Sequence, residues 1–272
     1  MLEMIMGGGK VTLNLGDSGP GPTELLGFTK GPGSQIAGYY GKLSYADFGL
    51  ATTYSYPGLV GAGNLGTGNA WNENTFLKFH CDGKTLFTPM RVSRYGMSWV
   101  DLYNLGLVYG VDGPGIRPAS IAAVNQLKTV VIGGYQYLVR LFKGSPDSPS
   151  SINQTSEGYN ADPVSLYLSE WNRLFYNILL PTFAGQNGGK WLPANQLMNP
   201  SALNMQYNYG SMTFVQEVLR SNNNNTILRG GRGHSTTDNN SDAASWATVV
   251  AYNGSSSDYG WRPCFELIGK VS

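Results

Sequence analysis

The chain has 272 residues, a net charge of +1, and 13% charged residues against 41% hydrophobic and 12% aromatic. This balance excludes a charge-rich disordered chain and a nucleic-acid binder held by a basic field. With Gly 37 and Pro 14 spread along its whole length, the chain also cannot be a coiled coil.

The first residues, Met1-Leu2-Glu3-Met4-Ile5-Met6, carry an acid where a signal peptide needs a base, and their short apolar run meets Gly7-Gly8-Gly9. No run approaches the roughly 20 apolar residues of a membrane span. The expectation is a chain made and folded in a cytoplasm. Residues 1–70 are rich in turn signals, Asp17-Ser18-Gly19-Pro20-Gly21-Pro22 and Gly31-Pro32-Gly33, around two short apolar pieces, Val11–Leu15 and Ile36–Leu43. They predict an extended N-terminal arm with short strands, packed on a neighbour or on the body that follows.

The body, residues 71–272, opens on a hairpin: Phe76 to His80, an Asp82-Gly83 turn, then Lys84 to Phe87. Ser98 with Asp101 three residues on predicts a capped helix stopping near Gly106. Thr129–Ile132, Gly133-Gly134 and Tyr135–Leu141 predict a strand pair. A second helix is expected over Val164–Leu179, ended by Pro181. Strands follow at Thr213–Leu219, Thr226–Leu228, Trp246–Tyr252 and Trp261–Leu267, with polar loops at 146–160, 182–210 and 233–243. The class is α+β: two helices, a small twisted antiparallel sheet and long loops. Such loops in a compact domain are usually functional.

Chemistry-bearing constellations are few. Cys81 and Cys264 read as separate small hydrophobes, and with only His80 and His234 and no CxxC pair there is no basis for a zinc site. His234-Ser235 with Asp238 lacks a nucleophile elbow, and Gly7-Gly8-Gly9-Lys10 lacks P-loop spacing. Arg229 and Arg262 can donate bidentately to carboxylates or loop carbonyls, and Glu170 and Glu217 are natural acceptors. Gly230-Gly231 allows a strand to bend and a backbone to approach closely. The reading is a structural network that ties loops to a sheet, with no catalytic residue.

The order Glu170-Trp171, Gln216-Glu217, Leu228-Arg229-Gly230-Gly231 and Gly260-Trp261-Arg262-Pro263 resembles the formylglycine-generating/sulfatase-modifying superfamily, a branch of the C-type-lectin-like fold. Ser98-Trp99 resembles that family's V-S-W segment. Gln216 stands where the family has Trp, Arg232 where it has Ser, and Trp261 where it has Phe. The family's enzymes use a cysteine pair after R-G-G; residues 232–246 here hold none, so the resemblance implies the fold without the thiol chemistry. Some relatives bind calcium, and Asp238, Asn239, Asn240 and Asp242 are the oxygens available to such an ion.

A second likeness covers residues 37–269. Phe76-Leu77-Lys78-Phe79, Gly83 to Pro89, Val139-Arg140-Leu141, Ser169-Glu170-Trp171-Asn172-Arg173-Leu174 and Gly260 to Leu267 look like a bacteriophage virion family commonly labelled tail or tail-fibre protein. It implies a non-enzymatic virion component, assembled in the host cytoplasm, docking by its arm onto other virion proteins and copies of itself at the tail, baseplate or fibre. A carbohydrate- or host-receptor-binding module and a capsid decoration protein are the alternatives. Low charge and abundant Tyr, Asn, Ser and Gly suit a contact surface in each case.

Overall fold

The computed structural model describes residues 2–6, 9–13, 17–30, 36–51, 56–59, 61, 66–68, 75–90, 92–144, 169–175, 212–218, 224–229 and 247–271. In chain order these form β1 Leu2–Met6, β2 Gly9–Leu13, β3 Gly27–Lys30, β4 Ile36–Ser44, α1 Tyr45–Phe48, β5 Thr67–Gly68, β6 Thr75–Cys81 and β7 Lys84–Pro89. Then come β8 Arg94–Tyr95, α2 Trp99–Asn104, β9 Thr129–Ile132, β10 Tyr135–Arg140 and α3 Glu170–Phe175. The last strands are β11 Met212–Val218, β12 Asn225–Arg229, β13 Ala247–Ala251, β14 Tyr259–Trp261 and β15 Cys264–Lys270. The described residues are therefore sheet-rich, with few, short helices.

Two sheets carry the body. The larger runs β3-β4-β6-β7-β15-β10-β9 and is antiparallel throughout. The smaller runs β13-β12-β11-β14-β8-β5, with one parallel pair, β11 and β14. Among the described residues β1 and β2 pair only with each other, in a two-stranded sheet.

Turn chemistry sets the hairpins. Asp82 and Gly83 both have positive φ, 49° and 84°, and Gly133 and Gly134 have 57° and 79°, the backbone twist that two-residue hairpins require. The capping box expected at Ser98 is present: its hydroxyl accepts from the Asp101 N–H, and the Asp101 carboxylate accepts from the Ser98 N–H at 2.8 Å. The same box at Ser44 and Asp47 starts α1, a helix the sequence reading passed over. Of the second expected helix, Glu170–Phe175 is seen; residues 164–168 and 176–179 lie outside the described residues.

One expected strand is corrected. Trp261–Leu267 is not continuous: β14 belongs to the smaller sheet and β15 to the larger, so the chain changes sheets at Arg262-Pro263. Pro263 has no N–H to give either ladder, which makes it a suitable place to leave one.

Residues 36–51 and 56–59 pack on the body, one of the two placements the sequence left open. β4 pairs along β6 from Ala37 to Ser44. Phe48 is completely buried, its ring 4.1 Å from Phe76, 5.2 Å from Phe87, 5.0 Å from Tyr137 and 5.4 Å from Phe265. This aromatic cluster fills one face of the larger sheet. The other face holds Tyr39, Phe79 and Leu86 against Trp171, Leu174 and Phe175 of α3. Gly49 makes the close turn after α1 possible: φ is 98°, and a Cβ there would meet the Gly133 Cα at 2.5 Å. Gly83 also has positive φ, but open space around it. Gly49→Ala is therefore expected to cost clearly more than the roughly 1 kcal/mol that left-handed backbone alone imposes on Gly83→Ala; urea unfolding of the two variants checks the order.

Lys78 lies on the aromatic face, fully buried. Its ammonium donates to the Pro22 carbonyl at 2.7 Å, Ser18 Oγ at 3.1 Å and the Gly19 carbonyl at 3.3 Å, and stands 5.0 Å from the Tyr40 ring. It thus fastens the Pro/Gly-rich segment 17–22 to the sheet. Burial lowers its pKa to about 8, against the Asp17 charge, from an ordinary 10.5. Between these values the unfolded chain holds a proton that the folded one has released, so this group makes folding more favourable as pH rises through that window. Wild type should gain stability relative to Lys78→Met from pH 8 to 10.5; a flat difference between their unfolding free energies would refute it.

Candidate functional site

Of the residues singled out in the sequence, Glu170, Trp171, Gln216 and Glu217 converge where α3 and β11 meet the segment that follows β10. Glu170 begins α3. Both of its oxygens are occupied: Oε1 accepts from Arg140 Nη2 at 2.6 Å, and Oε2 accepts from Arg140 Nη1 at 2.8 Å and from the Lys143 N–H at 2.9 Å. Arg140 turns its Nε to Glu266 at 3.0 Å, and Glu266 also meets Lys84 at 2.7 Å. The chain of charges is therefore Glu170, Arg140, Glu266, Lys84, running from buried to exposed.

Arg140 and Cys264 are cross-strand partners on β10 and β15, which places this guanidinium on the face that α3 covers. Burial alone would raise the Glu170 carboxyl; the Arg140 guanidinium and the Lys143 N–H hold it below its ordinary value.

Arg173, one turn along α3, makes a second bidentate pair with Asp82 at 2.6 Å for both contacts. Asp82 also accepts from the Ile36 N–H at 3.1 Å. The hairpin turn between β6 and β7 is thereby tied to both α3 and β4. Trp171, between the two ion pairs, packs edge-on to Phe142 at 5.9 Å and against Phe175 at 4.3 Å.

Glu217 on β11 is fully buried and accepts from the Gly144 N–H at 2.8 Å. Beside it on the chain, Gln216 donates to the Leu141 carbonyl at 2.9 Å, and its backbone N–H donates to the Phe142 carbonyl. Residues 141–144 are thus held from both sides, by α3 and by β11. Arg229 on β12 is fully buried; burial lowers its pKa to about 10, and the Glu217 charge works against that shift. Arg262 donates to the Pro89 carbonyl at 3.0 Å and to the Met90 carbonyl, and stands 5.9 Å from the Phe175 ring. It braces the point where the chain changes sheets. Trp261 is fully buried, edge-on to Tyr56 at 5.8 Å.

The sequence reading named Arg229 and Arg262 as donors to Glu170 and Glu217. The partner of Glu170 is instead Arg140, and Arg262 serves carbonyls, the other option its chemistry allowed. Arg140, Asp82, Glu266 and Lys84 were not assigned to this network; Asp82 was legible only as a turn residue, and the ion-pair partners of all four come from register across strands. Gly230 and Gly231, and the oxygen-rich loop with Asp238, Asn239, Asn240 and Asp242, lie outside the described residues. Among the described residues no group of three or more His, Cys, Asp or Glu is placed to hold a metal ion.

Glu170 is held as a tie within the fold. A general base needs a carboxylate oxygen facing substrate, and both Glu170 oxygens face donors of its own fold. The thiols are likewise suppressed: burial pushes Cys81 up to about 12 and Cys264 well above its ordinary range. Among the described residues no helix is long and apolar enough to cross a membrane. No protein-family model matches the chain, and no curated protein or solved structure matches it.

Proposed function

We propose that this protein is a non-enzymatic structural component of a bacteriophage virion, associated with the tail, baseplate or fibre, built on a C-type-lectin-like body. In this reading it docks onto other virion proteins through its N-terminal segment and is assembled in the host cytoplasm. The observation that carries it is the use made of the charged residues. In a chain with only 13% charge, Arg140, Glu170, Arg173 and Arg262 are all buried as ties between α3, the two sheets and their connections. The ordered motif set from residue 76 to residue 267 supports the finer fold and the virion assignment. The β1–β2 hairpin, a sheet of two strands only, supports a docking role for the N-terminus, since an isolated hairpin is marginal in water. Particles banded on a density gradient test the proposal: the protein should co-band with them in constant ratio to the other virion proteins. A chain found only in the soluble fraction overturns it.

The second reading, a module binding a host-surface glycan, rests on the 17 Tyr and the Asn- and Ser-rich composition. A glycan array, run with and without calcium, decides it; the virion reading survives an empty array.

A further inference from the structure

β9 ends the larger sheet, and its outer edge is open. Among the described residues, the backbone of Thr129 to Ile132 bonds only to β10. The two-residue turn at Gly133-Gly134 makes Ile132 and Tyr135 a hydrogen-bonded pair, so alternation leaves the N–H and C=O of Thr129 and Val131 pointing outward. Natural proteins blunt such an edge with proline, charge or a bulge. Within its four residues β9 has none of these, Lys128 standing just before it: Thr129-Val130-Val131-Ile132 is β-branched throughout and pairs with β10 in unbroken register.

Apolar surface concentrates here as well. Of the exposed large hydrophobic side chains, Leu127 and Val131 lie on β9 or just before it, and Ile268 and Val271 lie two strands in, at the end of β15 and just past it. The Val271 N–H donates to the Gly134 carbonyl, which brings the chain's last described residue to the turn between β9 and β10.

We propose that β9 is the seam of a two-fold dimer, in which two copies of this chain join edge to edge with β9 antiparallel to the partner's β9 and Val130 beside the axis. That register sets Thr129 against the partner's Val131 and Val131 against the partner's Thr129, and it satisfies the outward groups of both residues in both copies. The side chains brought together are β-branched cross-strand pairs. The charges also fit: Lys128 falls opposite the partner's Ile132, so the two ammonium groups stand four positions, about 13 Å, apart along the seam, beyond the screening length at physiological salt. The interface is isologous and closed, so it ends at two copies. It rests on the edge geometry and does not require the virion reading.

Sedimentation of the full chain over a range of concentrations tests this. A reversible species of twice the 29.4 kDa chain mass is expected. Val131→Pro removes an outward donor without touching the bonds to β10, and Val131→Lys adds charge to the edge. Each should weaken the dimer about tenfold or more, with the circular dichroism of the monomer unchanged; if the proline variant fails to fold, the lysine variant carries the test. Register is read by oxidation. Copies with Thr129→Cys mixed with copies with Val131→Cys should cross-link far better than either alone, the native thiols being buried. Overturning results are a monomer at every concentration, which would leave the edge to a strand of another protein, a dimer indifferent to both Val131 variants, or cross-linking that ignores the mixture.

Discussion

Arg140→Ala should lower folding stability by about 3–5 kcal/mol, the range for removing one partner of a buried ion pair. The loss comes from what is stranded. Glu170 would keep the Lys143 N–H but lose both guanidinium contacts while remaining 8% exposed. Glu266 would suffer less, since it is closer to solvent and retains Lys84 at 2.7 Å. Replacing both buried partners, Arg140→Met with Glu170→Met, should recover a large part of the loss, because no uncompensated charge then remains. Urea unfolding of the single and double variants measures this; a double variant as unstable as Arg140→Ala would show that the pair contributes more than relief from a buried charge.

The same pair predicts the acid limb. The folded pKa of Glu170 is depressed below its ordinary 4.5, so its contribution is fully present above that value and is lost as pH falls through the folded value. Asp82 behaves likewise: burial would raise it, and Arg173 and the Ile36 N–H hold it down. Wild type should lose stability below about pH 4.5, and Glu170→Gln should flatten that slope.

Phe48→Ala should cost about 3–5 kcal/mol, as expected for a fully buried aromatic. The position makes this informative. Phe48 lies in the Gly/Pro-rich N-terminal stretch, where a detachable arm would tolerate truncation of a side chain. Here its ring touches residues of β6, β7, β10 and β15, so its loss should destabilise the whole body in one transition. A separate early transition, with the body unaffected, would mean that the segment around Phe48, residues 36–51, folds on its own.

Both effects fall on contacts that the sequence does not display, yet much else was legible. The Asp82-Gly83 and Gly133-Gly134 hairpins and the Ser98 cap rest on interactions within a few residues, so residue type alone reveals them. The box at Ser44 and Asp47 has the same spacing and was equally readable, but the Gly- and Pro-rich surroundings masked it. Glu170, Glu217, Arg229 and Arg262 could be recognised as members of a buried network from their type and order.

Their partners could not. Arg140 meets Glu170 because β10 pairs with β15 in the register that sets Arg140 opposite Cys264, on the face that α3 covers. Arg173 meets Asp82 across 91 residues for a similar reason. The sequence by itself determined the two hairpin turns, the Ser98 cap and many of the strands of the body, and that some of its few charges would be buried as ties. Tertiary structure alone decided which charge meets which, and that Phe48 sits at the centre of the core, because cross-strand register and the stacking of layers bring together groups that no local pattern relates.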